Sequence, residues 1–228
     1  MSFDLLCKNC GAASGPSVGI CPYCKAVMTS AAEDENPTLK GVRKAFQEGK
    51  VDLALGLVKE LEKAKPALKK DASFALMMAQ ILMEAEAPSS QVRALLMEAI
   101  MENGENTALQ DYLDVTQAKG LLSHEAQDAG EVLLGVVLRR SPDNVHAHFL
   151  LGSHLFWVEK QNGKALKHLE EAVKLRPVFL RAVACLGALY QTLGNAPLAS
   201  KCFRKCKELE SSPAMKKYFD DLLKGVEK

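Results

Sequence analysis

The chain has 228 residues, 48% of them apolar and 25% charged, which is typical of a soluble globular protein of one or two domains. Its 29 Lys and Arg residues nearly balance 28 Asp and Glu residues, and a net charge of +1 argues against nucleic acid or anionic membrane as a partner. The start Met1-Ser-Phe-Asp is unlike a secretory leader, and no apolar run reaches the roughly 18 residues of a membrane helix, so we expect a cytoplasmic protein without membrane insertion.

Four of the seven cysteines lie near the start of the chain, paired as Cys7-x-x-Cys10 and Cys21-x-x-Cys24 with ten residues between the pairs. A Cys-x-x-Cys turn directs backbone NH groups at two sulfurs, so two such turns can supply the four thiolates of a tetrahedral zinc site. A segment this short cannot bury a core, and zinc binding of about 10–16 kcal/mol would supply its folding energy. With four cysteine ligands we predict one structural Zn²⁺ ion and no catalysis at the metal.

Residues 4–28 resemble the zinc-ribbon domains found at the start of many bacterial proteins, with the pattern Cys-x-x-Cys-Gly, about ten residues, then Cys-Pro-x-Cys. Gly11 follows the first pair as in that pattern, whereas Lys25 follows the second. Alternatives are two disulfides, which a reducing cytosol disfavours, a thioredoxin-type redox pair, or iron. The resemblance implies a zinc ribbon over residues 1–28, followed by an acidic linker over 29–37.

Residues 38–228 show apolar residues at helical spacing and no alternating strand pattern, which predicts an all-α second domain. Leu151-Gly152 and Leu186-Gly187 lie 35 residues apart, and the same order of small and large residues follows each. Small residues let two helices approach where they cross, and large ones fill the remaining gap. Over residues 145–210 this pattern closely resembles the tetratricopeptide repeat.

The resemblance weakens upstream, but degenerate repeats are still expected to form helix pairs. It implies an all-α fold class, a tetratricopeptide-like helical-hairpin solenoid with a small N-terminal zinc ribbon. We predict five helix pairs, over residues 38–65, 71–103, 107–140, 144–176 and 179–210, and a capping helix from Pro213 to about Val226.

In the tetratricopeptide family, the first helix of each pair lines a concave groove that binds partners. The family's groove positions, carried onto this sequence, give these candidate partner-binding residues: Tyr112, His146, Phe149, Ser153, Trp157, Arg181 and Gln191. An aromatic, modestly polar groove suits an extended or helical peptide with apolar anchors. Alternatively, Phe156 and Trp157 pack between their own helix pair and the next helix pair. The family's two-carboxylate clamp needs Lys and Asn at groove positions that lack them here, which disfavours the chaperone tails it captures.

His146, His148 and His154 share one helix without the three- or four-residue steps that set two ligands side by side. We interpret them as surface or groove histidines rather than metal ligands. Cys202 and Cys206 have a spacing that a metal could use, but Cys206 occupies a small crossing position and is interpreted as a buried thiol. The sequence contains no Gly-rich phosphate loop and no Ser-His-Asp arrangement, so we expect no enzyme and no small-molecule substrate.

These observations favour a non-catalytic adaptor or scaffold that binds a protein or peptide partner in its concave groove, with the zinc ribbon as a cap or second contact. Two other hypotheses stay open. The ribbon could bind nucleic acid, although Lys8 and Lys25 are its only basic residues. Cysteine oxidation could instead expel the zinc, which would make the ribbon a redox- or zinc-responsive switch.

Overall fold

The structure is a computed structural model that describes residues 5–6, 13–14, 37–123 and 126–226. Eleven α-helices follow one another in this part of the chain, and a 3-10 helix, Pro66–Lys70, follows the second. The α-helices are α1 (Pro37–Gln47), α2 (Val51–Ala64), α3 (Ala72–Glu84), α4 (Ser89–Asn103), α5 (Thr107–Leu122), α6 (Gln127–Arg140), α7 (Val145–Trp157), α8 (Asn162–Leu175), α9 (Leu180–Thr192), α10 (Ala196–Leu209) and α11 (Pro213–Val226).

The first ten helices form five consecutive hairpins, and α11 follows them as a single helix. Each hairpin begins and ends within two residues of the range expected from the sequence, so the predicted all-helical solenoid is confirmed for this part of the chain. The four cysteines of the predicted ribbon, Cys7, Cys10, Cys21 and Cys24, lie outside the described residues. The zinc ribbon, the linker and the division into domains therefore stay predictions.

Side-chain caps begin the first helices of the second, third and fourth hairpins. Asp71 accepts a hydrogen bond from the Phe74 amide at 2.8 Å, Asn106 from Leu109 at 3.1 Å, and Asn144 from Ala147 at 3.0 Å. Each cap satisfies an amide that would otherwise lack a partner in the first turn, a contribution of about 1 kcal/mol per helix. The same kind of residue thus sets the start of three successive repeats.

Glycine allows the two helices of a hairpin to cross closely in the fourth and fifth pairs. A Cβ atom built on Gly152 would lie 2.8 Å from Cγ of Leu169, and one built on Gly187 would lie 2.7 Å from Cε1 of Phe203. Since both distances are shorter than van der Waals contact, only glycine fits without a shift of the partner helix. The small-residue crossings predicted at residues 152 and 187 are confirmed.

The solenoid curves until its first hairpin contacts the fourth and fifth. Gly49, in the turn between α1 and α2, has a φ of +76°, and a Cβ there would lie 3.0 Å from both Cβ and the carbonyl oxygen of Val178. Val178 lies in the loop between α8 and α9. Arg176, in the same loop, donates a hydrogen bond to the carbonyl oxygen of Phe46 at 2.9 Å. This contact joins residues 130 positions apart and closes one end of the concave face.

The ends of the described chain have simpler structure. The strands β1 (Leu5–Leu6) and β2 (Ala13–Ser14) pair antiparallel, with Leu6 opposite Ala13. At the other end α11 packs on α10, burying Phe219 and pairing Lys207 with Asp220 at 2.6 Å. Among the described residues, none of the helices has the length and hydropathy needed to cross a membrane.

Candidate functional site

The first helices of successive hairpins, α3, α5, α7 and α9, lie side by side and form the concave face on which the sequence places a partner site. Five polar residues from three of these helices and from the loop after α8 meet at one end of this face. We call them the inner cluster, and they are Gln80, Glu84, Tyr112, His146 and Arg176.

A chain of hydrogen bonds crosses the inner cluster from helix to helix. The Gln80 amide donates to the Tyr112 hydroxyl at 3.0 Å, and this hydroxyl lies 3.2 Å from Nδ1 of His146. Burial lowers the pKa of His146 to about 3, and the nearby charges of Arg176 and Arg181 act in the same direction. The imidazole is therefore neutral at pH 7, so Nδ1 accepts from the hydroxyl and Nε2 carries the proton. Nε2 faces Oε1 of Glu84 at 3.8 Å, beyond hydrogen-bond distance.

Glu84 and Arg176 form a nearly buried ion pair at the centre of the inner cluster. Nε of Arg176 donates to Oε1 of Glu84 at 2.5 Å and a terminal nitrogen donates to Oε2 at 3.2 Å, while the guanidinium stacks 3.7 Å from the Phe46 ring centre. The Glu84 side chain is 1% exposed, and its burial raises its pKa, which the Arg176 charge opposes. This pair links the first, second and fourth hairpins.

Aromatic packing fills the adjoining part of the concave face. Phe149 and Phe179 pack with ring centres 4.8 Å apart, and the guanidinium of Arg181 lies 5.0 Å from the Phe149 ring centre. Arg181 also pairs with Glu86 at 2.7 Å, so the loop after α3 contacts α9. As a result, the side of Phe149 that the sequence predicted to be open to a partner is covered by the chain itself.

The opposite end of the concave face, which we call the outer end, is more exposed. Ser153 is half-buried and donates to the carbonyl oxygen of Leu150 at 3.0 Å, and Gln191 is exposed. Trp157 is 56% exposed, whereas its neighbour Phe156 is 4% exposed and packs against the indole with ring centres 4.2 Å apart. Burial raises the pKa of the Cys185 thiol on α9 to about 11.

The candidate partner-binding residues thus divide into two groups. Tyr112, His146 and Phe149 are buried, so the expectation that they face an open groove does not hold in this structure. The candidate residues at the outer end and its border are half-buried or exposed, and they are Ser153, Trp157, Arg181 and Gln191. Whether either group contacts a partner stays a prediction.

Sequence reasoning missed three residues of the inner cluster, which are Gln80, Glu84 and Arg176. The only local signal for the ion pair is that Glu84 ends α3 and Arg176 directly follows α8, and charged residues are common at solvated helix ends. The interpretation of the histidines as surface or groove residues was partly wrong, since the rings of both His146 and His154 are buried. Cys206 is buried, as its crossing position predicted.

The fold is similar to that of solved tetratricopeptide proteins. The structure superposes on TTC0263, a thermophilic tetratricopeptide protein of Thermus thermophilus, with a TM-score of 0.50 and 15% identity over 83% of this chain and 96% of that one. It also resembles YrrB, described as a tetratricopeptide protein with an unusual peptide-binding site, with a TM-score of 0.41 and 15% identity over 84% and 94% of the two chains. The likeness to TTC0263 shows a solenoid of the tetratricopeptide type.

Comparison with sequences adds one relative. The chain is 31% identical over 101 residues to tetratricopeptide repeat protein 37 of Xenopus laevis, a match that covers 41% of this chain and 6% of that protein. The chain therefore spans only a small part of that relative's length. No family model matches the chain.

Proposed function

We propose that this chain is a non-catalytic adaptor of the cytoplasm that binds a peptide or protein segment at the outer end of its concave face. The exposure of Trp157 carries the proposal. An indole that is 56% exposed and packs against the Phe156 ring offers a large apolar contact. Such aromatic anchors, rather than contact area alone, supply most of the binding energy in protein interfaces.

The polar groups around Trp157 suit a segment with an apolar anchor and hydrogen-bonding backbone. Gln191 is exposed and offers both a donor and an acceptor, and Ser153 is half-buried on the same face. Lys119 and Arg181 supply positive charge at the border with the inner cluster, where burial lowers the pKa of Lys119. We propose no nucleic-acid or small-molecule ligand for this surface.

We further propose that Cys7, Cys10, Cys21 and Cys24 bind one structural Zn²⁺ ion and form a second contact surface or cap. The antiparallel pairing of Leu5–Leu6 with Ala13–Ser14 supports this, because the first cysteine pair lies in the segment that joins the two strands. Elemental analysis of the purified chain tests it. Replacing Cys7 and Cys10 by serine is expected to lower the zinc content by one ion per chain, and a zinc content unaffected by these substitutions would contradict the proposal.

The binding proposal is tested by affinity capture with the full chain and two single variants. Trp157→Ala removes the anchor, and Met101→Ala removes a side chain that is 85% exposed on α4, outside the concave face. A protein retained by wild type and by Met101→Ala but not by Trp157→Ala is then purified and its affinity measured directly. We expect Trp157→Ala to weaken binding at least tenfold. Equal affinity of the two variants would exclude the outer end as the site.

A further inference from the structure

A cluster of metal-ligand side chains lies away from the concave residues discussed above, where three parts of the chain meet. Glu131 is in the first half of α6, His154 is in the last turn of α7, and Glu159 is in the loop between α7 and α8. Nε2 of His154 lies 3.2 Å from Oε1 of Glu131 and 3.8 Å from Oε1 of Glu159, and the ligand atoms all lie within 4.8 Å of one another.

The histidine nitrogen at the centre of this cluster lacks a hydrogen-bond partner. The His154 side chain is 4% exposed and its Nε2 atom is buried, yet neither carboxylate is placed to form a hydrogen bond with it. A buried polar atom without a partner costs about 1–3 kcal/mol, so such atoms in native proteins usually have a function or a missing ligand. Nε2 and one oxygen of each carboxylate all lie within 4.8 Å of one another, so a single cation placed among them can contact all three.

We propose that Glu131, His154 and Glu159 bind a divalent transition-metal ion of the Zn²⁺ class. With metal bonds of about 2.0–2.2 Å to nitrogen and oxygen, tetrahedral ligand atoms lie about 3.3–3.6 Å apart, close to the two distances from Nε2. Imidazole selects zinc-class ions over Mg²⁺ and Ca²⁺, which prefer oxygen ligands. Two carboxylates and one neutral imidazole match the charge of one divalent ion.

The site is reachable from solvent and would tie together separate parts of the fold. The carboxylate side chains are 32% and 38% exposed, so an ion can enter without unfolding of either helix. Bound there, it joins the start of the third hairpin's second helix to the turn of the fourth hairpin. Glu159 lies two residues after Trp157, so the ion would also hold the loop that begins at the exposed indole.

The test uses the full chain, in which Trp157 is the sole tryptophan. The protein is loaded with Zn²⁺ at the cysteine site, metal held outside that site is removed with a chelator, and Co²⁺ is then titrated. Binding is followed by quenching of Trp157 fluorescence and by calorimetry. We expect one saturable equivalent, bound at least tenfold more weakly by His154→Gln and by Glu159→Gln. Cobalt bound by cysteine would instead give an intense thiolate absorption band that neither substitution changes.

His148→Gln is the matched control, because His148 lies on the same helix but contacts His168 and not the two glutamates. It should bind Co²⁺ as wild type does. Glu159→Gln changes a partly exposed loop residue and keeps the test valid if His154→Gln fails to fold. Equal Co²⁺ affinity in wild type and Glu159→Gln, or no saturable quenching at millimolar Co²⁺, would overturn the proposal.

Discussion

Replacing Arg176 by methionine should destabilise the protein more than any loss of an exposed ion pair. Arg176 makes two hydrogen bonds to Glu84 and one to Phe46, and its guanidinium stacks on the Phe46 ring. Methionine keeps most of the aliphatic stem but leaves the Glu84 carboxylate, which is 1% exposed, without its counter-charge. The folded protein can then either keep a buried charge or protonate Glu84.

Protonation sets the scale of the effect. The gap of 2.5 pH units between pH 7 and the ordinary Glu value of 4.5 gives an upper limit of about 3.4 kcal/mol, because burial already raises the pKa of Glu84 in wild type. The lost hydrogen bond to the Phe46 carbonyl adds about 1 kcal/mol, which gives a total of about 3–5 kcal/mol. The double variant Glu84→Gln/Arg176→Met has no charge to neutralise and should regain most of this loss.

Urea unfolding followed by circular dichroism, at several pH values, measures these differences. In Arg176→Met the pKa of Glu84 lies above its unfolded value, so the stability that its protonation provides is present at low pH and is lost as pH rises. As pH falls below 7, the difference from wild type should therefore shrink by at most about 1.4 kcal/mol per pH unit, until Glu84 becomes protonated in wild type as well. Losing Arg176 also eases protonation of His146, which acts in the same direction.

Arg181→Met is the matched control on the same face. Its ion pair with Glu86 is partly solvated, with the glutamate side chain 64% exposed, so we expect a loss below about 1 kcal/mol. A loss for Arg176→Met that equals the control and does not vary with pH would refute the reasoning. It would mean that Glu84 is solvated through an opening of the first hairpin.

Three further predictions concern burial. Only the unfolded chain protonates His146 between pH 6.5 and about pH 3. Between pH 7 and pH 5 wild type should therefore lose about 2 kcal/mol relative to His146→Gln in urea unfolding. Gly187→Ala should destabilise the protein by about 1–2 kcal/mol, because the new methyl group overlaps the Phe203 ring. Gly135→Ala is the control and should not destabilise the protein, because its methyl group would meet no atom closer than 3.8 Å. Burial raises the pKa of the Cys206 thiol to about 12, so iodoacetamide at pH 8 should label it only as fast as the chain unfolds, and rapid labelling detected by mass spectrometry would contradict its burial.

The helix pairs could be predicted from the sequence because their determinants are local. Each repeat contains its own crossing glycine, Gly152 or Gly187, and the large residues that pack beside it. Capping residues such as Asn144 mark the starts of helices. Each signal lies within about 35 residues of the contact it specifies. Fold class and hairpin boundaries could therefore be predicted from the residue pattern together with its resemblance to the tetratricopeptide repeat.

The inner cluster could not be predicted because it depends on curvature. Arg176 contacts Glu84 and Phe46 across 92 and 130 residues, and the hairpins must rotate by the right amount for these atoms to meet. The repeat pattern places Phe149 on the concave side but contains no information on what covers it. The same limit applies to His154, because its neighbours Glu131 and Glu159 belong to other parts of the fold. The spacing of the histidines along α7 therefore could not indicate this cluster.

The contacts within the inner cluster influence where a partner can bind. A segment that displaced Arg176 from Glu84 would have to offset about 3–5 kcal/mol, a loss of roughly 10²- to 10³-fold or more in affinity. A segment anchored on Trp157 leaves these contacts intact, which favours the outer end. The two modes respond differently to Arg176→Met. A ligand of the inner cluster should bind more tightly, because it no longer has to break the Arg176–Glu84 pair, whereas a ligand of the outer end should bind with unchanged affinity. Calorimetry with the captured partner distinguishes them, and tighter binding to the variant would show that the solenoid opens to bind.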